Sequence, residues 1–196
     1  MNCIAHSLRP ANLRALWLHA RRAVRHWSRR ALSVGGVAVS LGLICSAGTA
    51  PAAAATLEEL RADPKLTPER FIQQFADFKF SLGRSVRKPE AFLSARAGDC
   101  DDFATLAADV LRQKGYTPRL VAVFMPHAVH VVCYVAETKS YLDFNRRAQA
   151  APLVSSNGEL ANIAASVAKS FRADWRSVSE FTFRNGTRSF VKSEFH

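Results

Sequence analysis

The sequence predicts an α+β domain in which a cysteine at a helix N-terminus packs on an antiparallel sheet, and three observations predict it. Helical patterns come first and antiparallel strand patterns follow, the order of segregated helices and sheet. Two strand pairs carry hairpin signals. The run Gly98-Asp99-Cys100-Asp101-Asp102-Phe103 joins a turn to a helix.

The first 55 residues read as an address. They hold seven arginines and no acid, then an apolar stretch from Ala31 to Ala50 and small residues from Ala52 to Ala55. This is the pattern of a secretory signal, with cleavage expected after Ala55. Ser28-Arg29-Arg30-Ala31-Leu32 resembles a twin-arginine signal, and an ordinary secretory leader fits as well. Ile44 before Cys45 argues against a lipoprotein anchor. The expected location is the periplasm or the exterior, with membrane contact only if the leader is retained. Without these seven arginines the formal net charge falls from +11 to +4. No basic, aromatic-interleaved patch for nucleic acid remains. Residues 56–196 are expected to form one domain, long enough for a real core. They keep two cysteines, Cys100 and Cys133, both expected as free thiols.

Thr67-Pro68-Glu69 starts a helix, with Thr as N-cap and Pro at the first helical position. Phe71, Phe75, Phe78 and Leu82 are its expected apolar stripe. Lys88-Pro89-Glu90 begins a shorter helix toward Ala97. In the next helix Phe103, Ala107, Val110 and Leu111 repeat at helical spacing, and Gly115 marks its left-handed stop. Gly98 permits a close backbone approach at its start. Strands are expected over 120–124, 129–135 and 141–144, the last two joined by the polar turn Glu137-Thr138-Lys139-Ser140. A helix is expected over 159–171. A second hairpin pairs 181–183 with 189–191 around Asn185-Gly186, where the Asn185-Gly186-Thr187 triplet reads as a turn rather than a glycan site.

Cys100 falls in the first helical turn, where unpaired N–H groups and the helix dipole favour a thiolate. Residues 56–196 contain three histidines, His127, His130 and the terminal His196. The general base is therefore His127 or His130, and His130 lies deeper in its strand. Alternation places His130 with Val132 and Tyr134 on one face, and Val131 with Cys133 on the other. That alternation also defeats a metal site from His127, His130 and Cys133, because a step of three changes face. Cys133 reads as a small core hydrophobe. Asp143, inside an apolar stretch, needs a partner, and His130 is the reasonable one; Asn145 could orient the imidazole instead. Asp99 can cap the helix, with Asp102 reaching back in a capping box. Three carboxylates beside Cys100 oppose a thiolate, however. Something positive is needed there, either protonated His130 or a bound cation.

The blocks Gly98-Asp99-Cys100-Asp101-Asp102-Phe103-Ala104, Leu111–Tyr116, His130-Val131-Val132-Cys133 and Leu142-Asp143 resemble the transglutaminase-like superfamily, nearest its bacterial cysteine proteinases. The resemblance covers about residues 86–147. It implies a papain-like core, with Cys100 as nucleophile, His130 as base and Asp143 as orienting acid. It implies no required cofactor, with calcium an option through Asp99 and Asp101. Val132 stands where many members carry an aromatic, and no glutamine shortly precedes Cys100 to serve the oxyanion. Residues 148–196 match nothing in the pattern.

The expected function is an exported thiol hydrolase that cleaves peptide or isopeptide amides of a protein substrate in the cell envelope. The alternatives are amide acyl transfer to an amine, a catalytically silent binding module of the same fold, and a structural domain assembled with a membrane partner.

Overall fold

The computed structural model describes residues 55–184 and 187–196. Apart from Ala55, the expected leader lies outside the described residues, as does the Asn185-Gly186 turn. The helices are α1 (Leu57–Ala62), α2 (Pro68–Gln73), α3 (Pro89–Ala95), α4 (Cys100–Gln113) and α5 (Leu160–Ser170). The strands are β1 (Lys79–Phe80), β2 (Ala97–Gly98), β3 (Pro118–Phe124), β4 (Val129–Val135), β5 (Ser140–Leu142), β6 (Leu153–Ser155), β7 (Ser177–Arg184) and β8 (Thr187–Phe195). A 3-10 turn covers Phe144–Arg146.

α1 was not anticipated, although Thr56 and Glu59 close a reciprocal capping box at its start of the kind a Thr-x-x-Glu sequence announces. α2 begins as expected, with the Thr67 hydroxyl accepting from the Arg70 N–H at 3.2 Å and Pro68 at the first position. It stops at Gln73, earlier than the phenylalanine stripe implied. The chain then turns so that β1 can run parallel to β2. Phe71, Phe75 and Phe78 are buried regardless, whereas Leu82 is about half exposed and takes no part in the core.

The main sheet has the order β6-β5-β4-β3-β7-β8 and every neighbouring pair is antiparallel. Alternation along the strands divides the core as the sequence implies. Leu120, Ala122, Val131, Cys133 and Val135 belong to the core that includes Phe103, Ala107, Val110 and Leu111 of α4. Val121, Val123, Val132 and Tyr134 belong to the one that includes Leu160, Ile163, Ala164 and Val167 of α5. β6, three residues long, was not anticipated. The strand expected over 141–144 ends at Leu142, because the Asp143 carboxylate accepts from the Asn145 N–H at 2.8 Å and caps the 3-10 turn instead. An aspartate that satisfies a backbone N–H two residues on diverts the chain from a ladder.

Phe71, Phe75, Phe78, Phe92, Phe103 and Phe144 form a chain of rings with neighbouring centroids 4.9–6.1 Å apart. It joins α2, α3, α4 and the residue after Asp143, so the helix that carries Cys100 and the turn that carries Asp143 are packed into one body.

Gly98 is held to glycine by space. A Cβ there would lie 2.5 Å from the Phe92 ring and 2.6 Å from an Asp102 carboxylate oxygen. Gly98→Ala is expected to lower stability by about 1–3 kcal/mol through overpacking, read as a reduced urea midpoint. An unchanged midpoint would show that Phe92 yields freely.

Candidate active site

α4 starts abruptly because its first turn is capped from both sides. One Asp99 carboxylate oxygen accepts from the N–H groups of Asp101 and Asp102, at 3.1 and 3.3 Å, and the other from Gly83 N–H at 2.9 Å. Asp102 returns the bond to the Asp99 N–H at 3.1 Å, completing the expected capping box. Asp102 also accepts from Arg87, through its backbone N–H at 2.6 Å and Nη1 at 2.7 Å. Its role is to tie the segment before α3 to the helix start. Cys100 is half-buried among these acids, which are buried.

His130 is the second residue of β4 and is 3% exposed; Asp143 is 2% exposed. His130 Nε2 lies 2.8 Å from Asp143 Oδ1. Cys100 lies near enough to act on the same ring and favours its charged form. The structure thus pairs His130 with Asp143 and brings Cys100 within electrostatic reach of the ring. Burial disfavours the charge on His130, but Asp143 and then Cys100 outweigh it and push its pKa up to about 10. Burial acts against the Asp143 charge too, and the imidazolium beside it nonetheless holds that carboxyl below its usual range. These charges favour the imidazolium form of a ring seated between Asp143 and the Cys100 sulfur.

The remaining sequence candidates fall into place around this centre. His127 is exposed in the β3–β4 loop. Asn145 contributes its backbone N–H to Asp143 while its side chain is exposed. Cys100 and Cys133 are both free thiols; burial pushes the Cys133 pKa up to about 12, so it behaves as a core hydrophobe. Among the described residues no group of three or more His, Cys, Asp or Glu side chains is placed to hold a metal ion.

Three neighbours escaped the sequence reading. Phe171, at the end of α5, sets its ring 5.0 Å from that of His130. The other two are the cations that the acid cluster demanded: Arg87 on Asp102, and Arg188 of β8, which donates to Asp101. Three acids flanking Cys100 announced that something positive was needed, expected as protonated His130 or a bound cation; nothing local to them pointed to these arginines.

A helix-N-terminal cysteine, a buried histidine–aspartate pair and an antiparallel sheet define the papain-like arrangement of thiol-bearing α+β domains. The chain belongs to the transglutaminase-like domain family, whose model matches residues 52–151. Among solved structures it is similar to calcium-bound LapG of Legionella pneumophila, at 17% identity and a TM-score of 0.42, covering 69% of this chain and 74% of that one. It is also similar to a Cytophaga hutchinsonii protein described as a candidate cysteine protease, at 16% identity and a TM-score of 0.36, covering 74% of this chain and 52% of that one. No curated protein matches the chain.

The buried pair makes stability depend on pH. The folded pKa of His130, about 10, lies above an unfolded value near ~6.5. Its contribution is therefore complete below about pH 6.5 and is lost as the pH rises through about 10. The urea midpoint of the wild type is expected to fall between pH 6.5 and 10 more steeply than that of His130→Gln. Parallel curves would mean that His130 does not carry the charge.

Proposed function

We propose that this protein is an exported thiol hydrolase that cleaves peptide or isopeptide amides of protein or peptide substrates in the cell envelope. The observation that supports it most is the buried His130–Asp143 pair, with Cys100 within electrostatic reach of the imidazole. With Nε2 held by Asp143, Nδ1 is left to exchange a proton with the Cys100 sulfur. The thiolate attacks the amide carbonyl, and the Cys100 N–H at the helix start donates to the developing oxyanion. The imidazolium then gives its proton to the leaving amine as the C–N bond breaks, which leaves a thioester on Cys100. Water, deprotonated by the neutral imidazole, adds to the thioester. The acid leaves, and the proton returns to the imidazole–thiol pair.

No cofactor enters this scheme. The Legionella LapG structure is calcium-bound, and a cation on Asp99 and Asp101 was the corresponding expectation here. In this structure those carboxylates already have protein donors. Asp99 spends both oxygens on N–H groups, Asp102 spends both on Arg87 and Asp99, and Asp101 accepts from Arg188.

Iodoacetamide labelling at pH 7, resolved by mass spectrometry, tests the reading. Cys100 is expected to react at least about a hundredfold faster than in His130→Ala, the lower end of what a positioned base contributes. Cys133 should stay unlabelled in the folded protein. In turnover of any peptide amide the wild type cleaves, Cys100→Ala abolishes the reaction and Cys133→Ala keeps most of it. Equal loss from both, or a Cys100 rate indifferent to His130, would move the assignment to a binding module.

A further inference from the structure

The family match ends at residue 151, yet the segment beyond it reaches the site twice, through Phe171 and Arg188. Arg188 is the more consequential. It stands on β8 and donates to the carboxylate of Asp101, 87 positions away in sequence. Its guanidinium carbon lies 5.2 Å from the centroid of the Phe181 ring on the paired strand β7, which fixes where it points.

Asp101 directly follows Cys100 and is 8% exposed. A buried carboxylate at that position repels a thiolate. Burial raises the Asp101 pKa, Arg188 lowers it, and Asp99 and Asp102 raise it again. On balance the Asp101 pKa lies above its ordinary value, and Arg188 is the cation that counters that rise and offsets the carboxylate's charge. The other charged groups around the thiol are already committed: Arg87 to Asp102, His130 to Asp143, and Asp99 to backbone N–H groups.

We propose that Arg188 is a positioning residue of the thiol site: a built-in cation, delivered by the C-terminal hairpin, that neutralises Asp101 beside Cys100 so that the reactive pair forms without a divalent metal. This rests on Cys100 being the nucleophile. Replacing Arg188 leaves an uncompensated acid next to the sulfur. Removing the acid as well removes the conflict, which a merely structural role would not do.

The test is the rate of iodoacetamide alkylation at Cys100 across pH 5–9 in the full-length protein, with EDTA or with millimolar calcium. Arg188→Gln is expected to slow the rate at pH 7 about five- to tenfold, the size of effect one uncompensated neighbouring charge has on a titrating group. Its pH profile should move to higher pH. Arg188→Lys should recover most of the rate, and Asp101→Asn placed in the Arg188→Gln background should restore it, a coupling read as a double-mutant cycle. The wild type should react equally in EDTA and in calcium. An Arg188→Gln rate equal to wild type, failure of Asp101→Asn to rescue, or wild-type reactivity that collapses in EDTA would each overturn the proposal. If His130→Ala leaves the wild-type rate unchanged, the thiol-site reading itself fails. If His130→Ala slows it and Arg188→Gln does not, only the role of Arg188 falls.

Discussion

The ion pair between His130 and Asp143 is the constraint that organises this fold. Both groups are almost wholly removed from water, and neither is tolerable there alone. Breaking a buried pair by removing one partner leaves an uncompensated charge, a loss of about 3–5 kcal/mol. The imidazole must therefore stay where β4 places it, and the carboxylate must be brought to it by a different element. That element is the 3-10 turn after β5. Phe144 sinks into the phenylalanine chain, and Arg147 donates to the carbonyls of Phe78 and Phe144 while lying 4.0 Å over the Phe144 ring. The turn is pinned by core packing on one side of Asp143 and by a guanidinium clamp on the other. The same aromatic chain includes Phe103, one helical turn past Cys100. A single apolar body thus sets the position of both the thiol and the acid relative to the histidine.

Charge compensation is the second demand, and it explains what otherwise looks contradictory. An acidic helix start favours the helix, because carboxylates suit the positive end of the dipole and cap its free N–H groups. The same acids work against a reactive thiolate. The structure separates the two roles in space. Asp99 is absorbed by backbone donors, Asp102 by Arg87, and Asp101 by Arg188. Helix initiation keeps its carboxylates, while arginines from two distant segments return positive charge to the neighbourhood of the sulfur.

What was legible in the sequence follows from this division. The start of α4, the alternation on β4 and the need of Asp143 for a partner are local facts, written in residue type and spacing, and each appears in the structure. Arg188, Arg87 and Phe171 were invisible for a common reason. Each acts through a contact made only after the chain has folded back on itself, and a solvated arginine or an apolar helix end reads the same wherever it lands. The short elements escaped for another reason. β1, β2 and β6 have two or three residues each, too few for any period to show, and they exist because a neighbouring backbone offers partners. The phenylalanine stripe misled in the opposite direction. Its spacing matches a helix, but burial of large rings does not require one, and a turn after Gln73 delivers Phe75 and Phe78 to the same core.

The part of the chain beyond the family match is therefore not an appendage. β7 pairs with β3 along five registered residues, so without it β3 would be an open edge of the sheet. α5 covers Val121, Val123, Val132 and Tyr134, the face on which His130 also stands. Baring the apolar surface around the ring would let water screen the attraction between the imidazolium and Asp143. The terminal segment completes the hydrophobic face, sets Phe171 against the ring and carries Arg188 to the acid beside the thiol. The surroundings of His130 and of the acid beside Cys100 are thus built by the segment with no recognisable motif as well as by the blocks that carry the resemblance.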